Sequence, residues 1–361
     1  MNDTHYTSDN IGDLYQQALR LFEEEKYANA LQLLLKIYPI EPNNTSLLDT
    51  IASTLCALER FEEAIPYVDQ GLKLDTSNFI LLARKGNILF NMGKYYEALS
   101  CYNKQLLINS SSVDVLFGRG SCNTELENYE NALDDFDNAL SIEPNNSDIL
   151  IVKGEVLNLL EQYDKALKIF ESILEYEPHN TDVLDRIGNS FYGLGQYETA
   201  IEYYDKYLQI NPDDVSILNI KGGALSWLDK FEDELIVRDK VLVIDPNNVE
   251  ALGGKAGSLF ELGRLEEALK FINLALEKEP HSPEFLGTKC SIFYGLQRDN
   301  EFLDCLNFAL GMHPNDAHIL IHKAWMYADQ NDVKNALKIC NQILKLDPQN
   351  QDALELKKEV S

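Results

Sequence analysis

The chain contains no apolar run long enough to span a bilayer, no C-x-x-C pair, no phosphate loop, no dinucleotide glycine fingerprint and no nucleophile elbow. Neither an enzyme, a resident cofactor nor a metal centre is expected from it. Basic residues are scarce: 31 Lys and Arg stand against 59 Asp and Glu, for a net charge of −28. Such a field repels nucleic acid and anionic membrane and favours neutral to basic partners. The opening MNDTHYTSDN has neither a basic nor an apolar stretch, so no cleaved leader is expected and the cytoplasm is the expected compartment. Six cysteines (Cys56, Cys101, Cys122, Cys290, Cys305 and Cys340) are scattered along the chain. They read as small apolar fillers rather than a disulfide framework.

A strict period is present. Pro144, Pro178, Pro212, Pro246, Pro280, Pro314 and Pro348 follow one another at intervals of 34 residues. Extended backwards through Ser110 and Thr76 to Pro42, the register runs from residue 11 to residue 350 as ten units without an insertion. Counting each unit from 31 residues before its proline position, position 4 is leucine throughout, from Leu14 to Leu320. Position 8 is small (Ala18, Ala52, Gly86, Gly120, Gly154, Gly188, Gly222, Ala256, Cys290, Ala324) and position 17 is mostly aromatic, from Tyr27 to Phe231. Position 20 is alanine in most units.

Positions 4, 8 and 11 share one face of a first helix, and positions 20, 24, 27 and 28 one face of a second. Small residues at 8 and 20 let the helices approach. Gly93, Gly195 and Gly263 suit a left-handed residue between them. The Asn and Asp residues after the proline suit capping of the next helix. Glu62, Glu63, Glu97, Glu198, Glu266 and Glu267 complement the positive end of the second.

These residues at this spacing resemble the tetratricopeptide repeat family over 340 of the 361 residues. The resemblance implies an all-α, right-handed superhelical solenoid of ten helix-turn-helix repeats, whose first helices line a concave groove that binds peptides or partner domains. Residues 1–10 are expected to be a mobile N-terminal segment, 11–350 the array, and 351–361 a capping helix. Two units depart. The seventh has Glu234 and Arg238 in place of an alanine and an aromatic, four apart and able to pair. The ninth has Phe302 at the small position and Asp299 at the aromatic one. Looser packing is expected at both, relieved by compensating substitutions more readily than by a hinge.

Several constellations are candidates for function. His318 and His322 lie four apart on a first helix, but with no cysteine or acidic third ligand they read as structural or solvent-facing. Lysine or arginine recurs at position 7 (Lys85, Arg119, Lys153, Lys221, Lys255, Lys289, Lys323) and reads as long stems packing while their charges reach water. The clamp by which family members hold a chaperone's C-terminal carboxylate needs lysine at position 5. None of the ten units has one, so the resemblance does not extend to that partner. Arg84, Asn87 and Phe90 in the third unit are matched by Arg186, Asn189 and Tyr192 in the sixth, at groove-facing positions 6, 9 and 12. Arginine and asparagine there suit a peptide's carboxylates or backbone, and the ring suits an apolar side chain. Gly222, Gly223, Gly253, Gly254 and Gly257 leave bare floor beside Trp227 and Phe260, either for close helix packing or for a ligand chain.

The expected function is a protein–protein interaction scaffold or adaptor holding a partner segment in the groove. A regulatory or targeting subunit of a separately encoded enzyme would use the same groove. An RNA-reading helical repeat is disfavoured by the net charge.

Overall fold

The computed structural model describes residues 8–360. In chain order the helices are α1 (Ser8–Glu23) and α2 (Tyr27–Ile37), α3 (Thr45–Ala57) and α4 (Phe61–Leu74), α5 (Phe79–Asn91) and α6 (Tyr95–Ile108), α7 (Val113–Glu125) and α8 (Tyr129–Ile142), and α9 (Ser147–Leu159) and α10 (Tyr163–Leu174). There follow α11 (Thr181–Gly193) and α12 (Tyr197–Ile210), α13 (Val215–Trp227) and α14 (Phe231–Ile244), α15 (Val249–Glu261) and α16 (Leu265–Lys278), α17 (Pro283–Gly295) and α18 (Asp299–Met312), and α19 (Ala317–Asp329) and α20 (Val333–Leu346). Last comes α21 (Gln351–Glu359). Among the described residues there is no strand, and the ten pairs plus one terminal helix form an all-α helical solenoid. Residues 1–7 of the expected N-terminal segment lie outside the described residues, and Ser8 already opens α1.

The local signals act where the period puts them. Asn44, Asn78, Asn146, Asn180, Asp214, Asn248, Ser282, Asp316 and Asn350 each cap a first helix by accepting a backbone N–H from its first turn. Gly93, Gly195 and Gly263 sit at φ +71° in the turn inside a pair. In seven other pairs that left-handed position is held by a side-chain-bearing residue, among them Glu127, Glu161 and Asp229, at φ between 54° and 59°.

Packing within a pair follows a size rule. Where position 8 is glycine, position 24 is large. A Cβ added to Gly120 would meet the ring of Phe136 at 2.6 Å, and one added to Gly86 would meet that of Tyr102 at 2.8 Å. Gly154 lies against Phe170 and Gly188 against Tyr204 in the same way. Where position 8 is alanine, position 24 is Leu34, Val68, Ile272 or Cys340, all buried. Each pair thus fills one volume by either partition, as close packing requires.

The chain divides into two compact units, Met1–Pro178 and His179–Ser361. In the first, first helices touch the next first helix (α3 with α5, α5 with α7, α7 with α9). In the second, α13, α15, α17, α19 and α21 do the same. Neighbouring second helices do not pack on one another to a comparable extent. Within each unit the side formed by first helices is therefore the inner side of the curve.

Candidate functional site

The position-7 cations are placed differently from the sequence expectation. Their stems do pack, but most of their charges end on an acid or amide rather than free in water. Lys85 donates to Asp69 (2.6 Å) and Lys221 to Asp205 (2.5 Å), and Lys153 and Lys255 pair with Asp137 and Asp239. Each partner is position 25 of the preceding second helix. Arg119 reaches both Asn103 at that position and the buried Asp135 of its own pair, and Lys357 of the terminal helix reaches Asn341. These contacts staple one pair to the next and leave no basic rail facing a ligand.

The departure in the seventh unit is compensated rather than loose. Arg238 Nε donates to Glu234 Oε1 at 3.1 Å and Arg238 Nη1 to Asn219 Oδ1 at 3.0 Å, and both charged residues are buried. The guanidinium lies between two helix backbones: a Cβ on Gly222 would fall 2.8 Å from Cζ, and one on Gly254 2.6 Å from Nε. Gly253 likewise makes room for the ring of Phe285. Three of the five glycines are thus taken by packing. Gly257 has nothing within 4 Å of an added Cβ and faces open space, and Gly223 only approaches the hydroxyl of Tyr192. In the ninth unit Phe302 is buried against Tyr294, with ring centroids 5.7 Å apart. Cys290 at its small position faces Cys305, with sulfurs 3.2 Å apart in the core. All six cysteines are free, and all but the half-buried Cys56 are buried.

The two matched sets on the first helices share part of their chemistry. Asn87 Oδ1 accepts from the Tyr102 hydroxyl at 2.7 Å, and Asn189 Oδ1 from that of Tyr204 at 2.8 Å. Each asparagine therefore satisfies the buried position-24 tyrosine of its own pair while its ring neighbour stays partly open. The arginines differ: Arg84 forms an ion pair with Asp49 of the preceding pair (2.9 Å), whereas Arg186 donates to the carbonyl of Asp182 on its own helix (2.6 Å). Asn87 and Phe90 line a cavity of about 430 Å³ with Phe117 and Ser121, and Arg84 is not part of its wall. Tyr192 belongs to an aromatic cluster. Its hydroxyl accepts from Trp227 Nε1 at 3.1 Å, its ring meets Tyr197 edge-on, and Tyr197 stacks on Trp227 with centroids 5.8 Å apart. Trp227 keeps 65% of its surface exposed.

Phe260 belongs elsewhere, in a cavity of about 580 Å³ on the shared face of α15, α17, α19 and α21. Its wall includes Gly257, Gly287, His318, His322 and Trp325. His322 is buried and packs edge-on against Trp325; burial pushes its pKa down to about 4, so it is neutral at pH 7. Sequence reasoning missed Trp325. The signal was available: position 9 is small or polar in most units, including Gly223, Gly257 and Ser291, and only here a tryptophan.

No helix among the described residues is long and apolar enough to cross a membrane, and no group of three or more metal-ligating side chains occurs among them. No curated protein is matched by this sequence. A solved tetratricopeptide repeat protein from Parabacteroides merdae is similar with a TM-score of 0.60 at 17% identity, covering 69% of this chain and 98% of that one. Yeast Tom70 matches with a TM-score of 0.47 at 13% identity, over 98% of this chain and 96% of its own. YrrB, described as a TPR protein with an unusual peptide-binding site, matches with 0.44 at 24% identity, over 52% of this chain and 97% of its own. Tetratricopeptide repeat profiles match residues 83–147 and 303–351, residues 124–185 and 239–289, and residues 186–214. Together they span more than half of the sequence, and the chain belongs to the tetratricopeptide repeat family, whose helical arrays serve in general as non-catalytic protein-interaction scaffolds.

Proposed function

We propose that this chain is a cytoplasmic scaffold or adaptor that holds a segment of a neutral or basic partner protein on the inner faces that the first helices form within its two units. The observation that carries the reading is the distribution of partly open aromatic surface on those faces. Phe90 and Phe117, then Tyr192 and Trp227, then Phe260 and Trp325 border open cavities or solvent on first helices or their ends. The net charge of −28 favours partners of opposite sign. Arg84, Asn87, Arg186 and Asn189 flank the aromatic surfaces of their own units. In the free protein they are engaged with neighbouring side chains or backbone, so a partner's polar groups would exchange with those contacts rather than meet unpaired donors.

Affinity capture from a cell extract, followed by titration of the recovered partner, tests this. Phe90→Glu and Trp227→Glu introduce a charge on the inner face, and Tyr96→Glu does so at an exposed site on α6. The first two should weaken binding at least tenfold and the third should leave it unchanged. Equal affinities for all three would remove the inner face from the function.

A further inference from the structure

The cavity at Phe260 and Trp325 differs from the other openings on the inner face in how it is charged. Its wall is drawn from α15, α17, α19 and α21 and their caps, at the same inward positions of successive pairs. Four carboxylates stand around it: Glu261, Glu284, Asp316 and Asp352. No lysine or arginine contributes to it. Three of the five lysines on these helices have partners elsewhere: Lys255 pairs with Asp239, Lys289 lies 5.7 Å from the ring centre of Phe293, and Lys357 is bonded to Asn341. Neutral His322 adds no positive charge to the floor. Asp316 Oδ1 accepts the N–H of Ile319, and among the described residues no ion pair engages Glu261, Glu284 or Asp352.

The floor is shaped for a flat, partly apolar group. Trp325 and Phe260 offer rings, and Gly257 has no atom within 4 Å of an added Cβ. A guanidinium is planar, weakly hydrated and stacks on indole while its N–H groups reach carboxylates in their own plane. An ammonium gains less from the ring and presents its donors tetrahedrally.

Resting on the groove reading above, we propose that this cavity is a specificity pocket for an arginine side chain of the bound segment. Trp325 and Phe260 stack on the guanidinium, and Glu261, Glu284 and Asp352 receive its donors at the rim. The pocket thus selects partners carrying arginine at one point of the segment docked on the last three pairs.

Non-specific attraction of a basic peptide to an acidic protein is the competing explanation, and variants that change no charge separate the two. The probe is a fluorescein-labelled nonapeptide alternating arginine and serine, alongside lysine and citrulline versions, titrated by anisotropy at 0.15 M salt. The arginine peptide should bind at least tenfold more tightly than the citrulline one and more tightly than the lysine one. Gly257→Leu fills the cavity and Trp325→Ala removes the stacking ring; each should weaken the arginine peptide at least tenfold. Glu284→Gln should weaken it several-fold, and Glu198→Gln on α12, equal in charge change, should not.

Gly257→Leu also removes a glycine from a helix, so its fold should be retained, and thermal unfolding checks this. Equal binding to the wild type, Gly257→Leu and Trp325→Ala, or no preference for arginine over citrulline, would overturn the pocket. The wider groove reading is judged separately by Phe90→Glu and Trp227→Glu, in other repeats, so one can fail without the other.

Discussion

The buried pair Glu234 and Arg238 yields the sharpest stability prediction. Charges withdrawn from water lose several kcal/mol of hydration each, and a single hydrogen-bonded contact returns only part of it. Here Glu234 Oε2 has no partner at all, so the carboxylate is half-satisfied. The space around Arg238, between Gly222 and Gly254, matches that of Tyr102, which lies between Gly86 and Gly118. An aromatic ring therefore fits, but the Tyr102 hydroxyl relies on Asn87, and the corresponding residue in the seventh unit is Gly223. Phenylalanine is the better replacement, as at Phe136 and Phe170. Glu234→Ala with Arg238→Phe should stabilise the protein by about 1–4 kcal/mol, the range for replacing a buried ion pair with packed apolar residues. Asn219 loses the guanidinium but keeps its bond to Asn248 (3.2 Å). Glu234→Ala alone should destabilise by about 3 kcal/mol, the low end for breaking a buried pair, because it leaves the buried Arg238 with only the neutral Asn219 and a 3.5 Å contact to the exposed Glu250. Denaturant unfolding followed by circular dichroism, with hydrogen exchange of α13–α15 to locate the change, measures both. A double variant less stable than the wild type, or a single variant that is neutral, would refute the argument.

His322 makes the second unit sensitive to acid. Its folded pKa of about 4 lies below the ordinary 6.5, so protonation favours the unfolded chain. Its contribution is complete above about pH 6.5 and lost as pH falls toward 4, amounting to about 3 kcal/mol; the difference in unfolding free energy between wild type and His322→Leu should shrink or reverse across that window. Glu161 is held at φ 57° in a turn where Gly195 serves a neighbouring pair, so Glu161→Gly should raise stability and Gly195→Ala lower it, each by about 1 kcal/mol in thermal melts. The Lys221–Asp205 staple is partly exposed, so a double-mutant cycle should give a coupling below about 1 kcal/mol that fades in 1 M salt.

The fold was legible because every local signal agreed with one period. Leucines at position 4, caps after the proline and glycines in the turns specify helix ends without reference to distant residues. What resisted reading depends on which helices lie side by side. The partners of Lys85, Lys153, Lys221 and Lys255 stand 16 residues upstream on another helix, a spacing that no single-helix periodicity reveals. The glycines at 222 and 254 make sense only once Arg238 is seen between them. Asn87 and Asn189 were recognisable as a recurring pair, but their bonds to Tyr102 and Tyr204 require knowing that positions 9 and 24 meet. Trp227 and Phe260, adjacent in reasoning from the sequence, serve different surfaces, one with Tyr192 and one with Trp325.

The surface also offers an alternative to the inner face, since Leu107 and Val243 are more than 80% exposed on second helices. Photo-crosslinking compares the two directly. Benzoylphenylalanine would be installed one site at a time, at Phe90, Tyr192 and Phe260 on the inner face and at Tyr96, Leu107 and Val243 on the second helices. After irradiation of the captured complex, mass spectrometry would locate the crosslinks. Adducts to the partner from the first three positions and none from the second three are the predicted result; adducts concentrated at Tyr96, Leu107 and Val243 would contradict it.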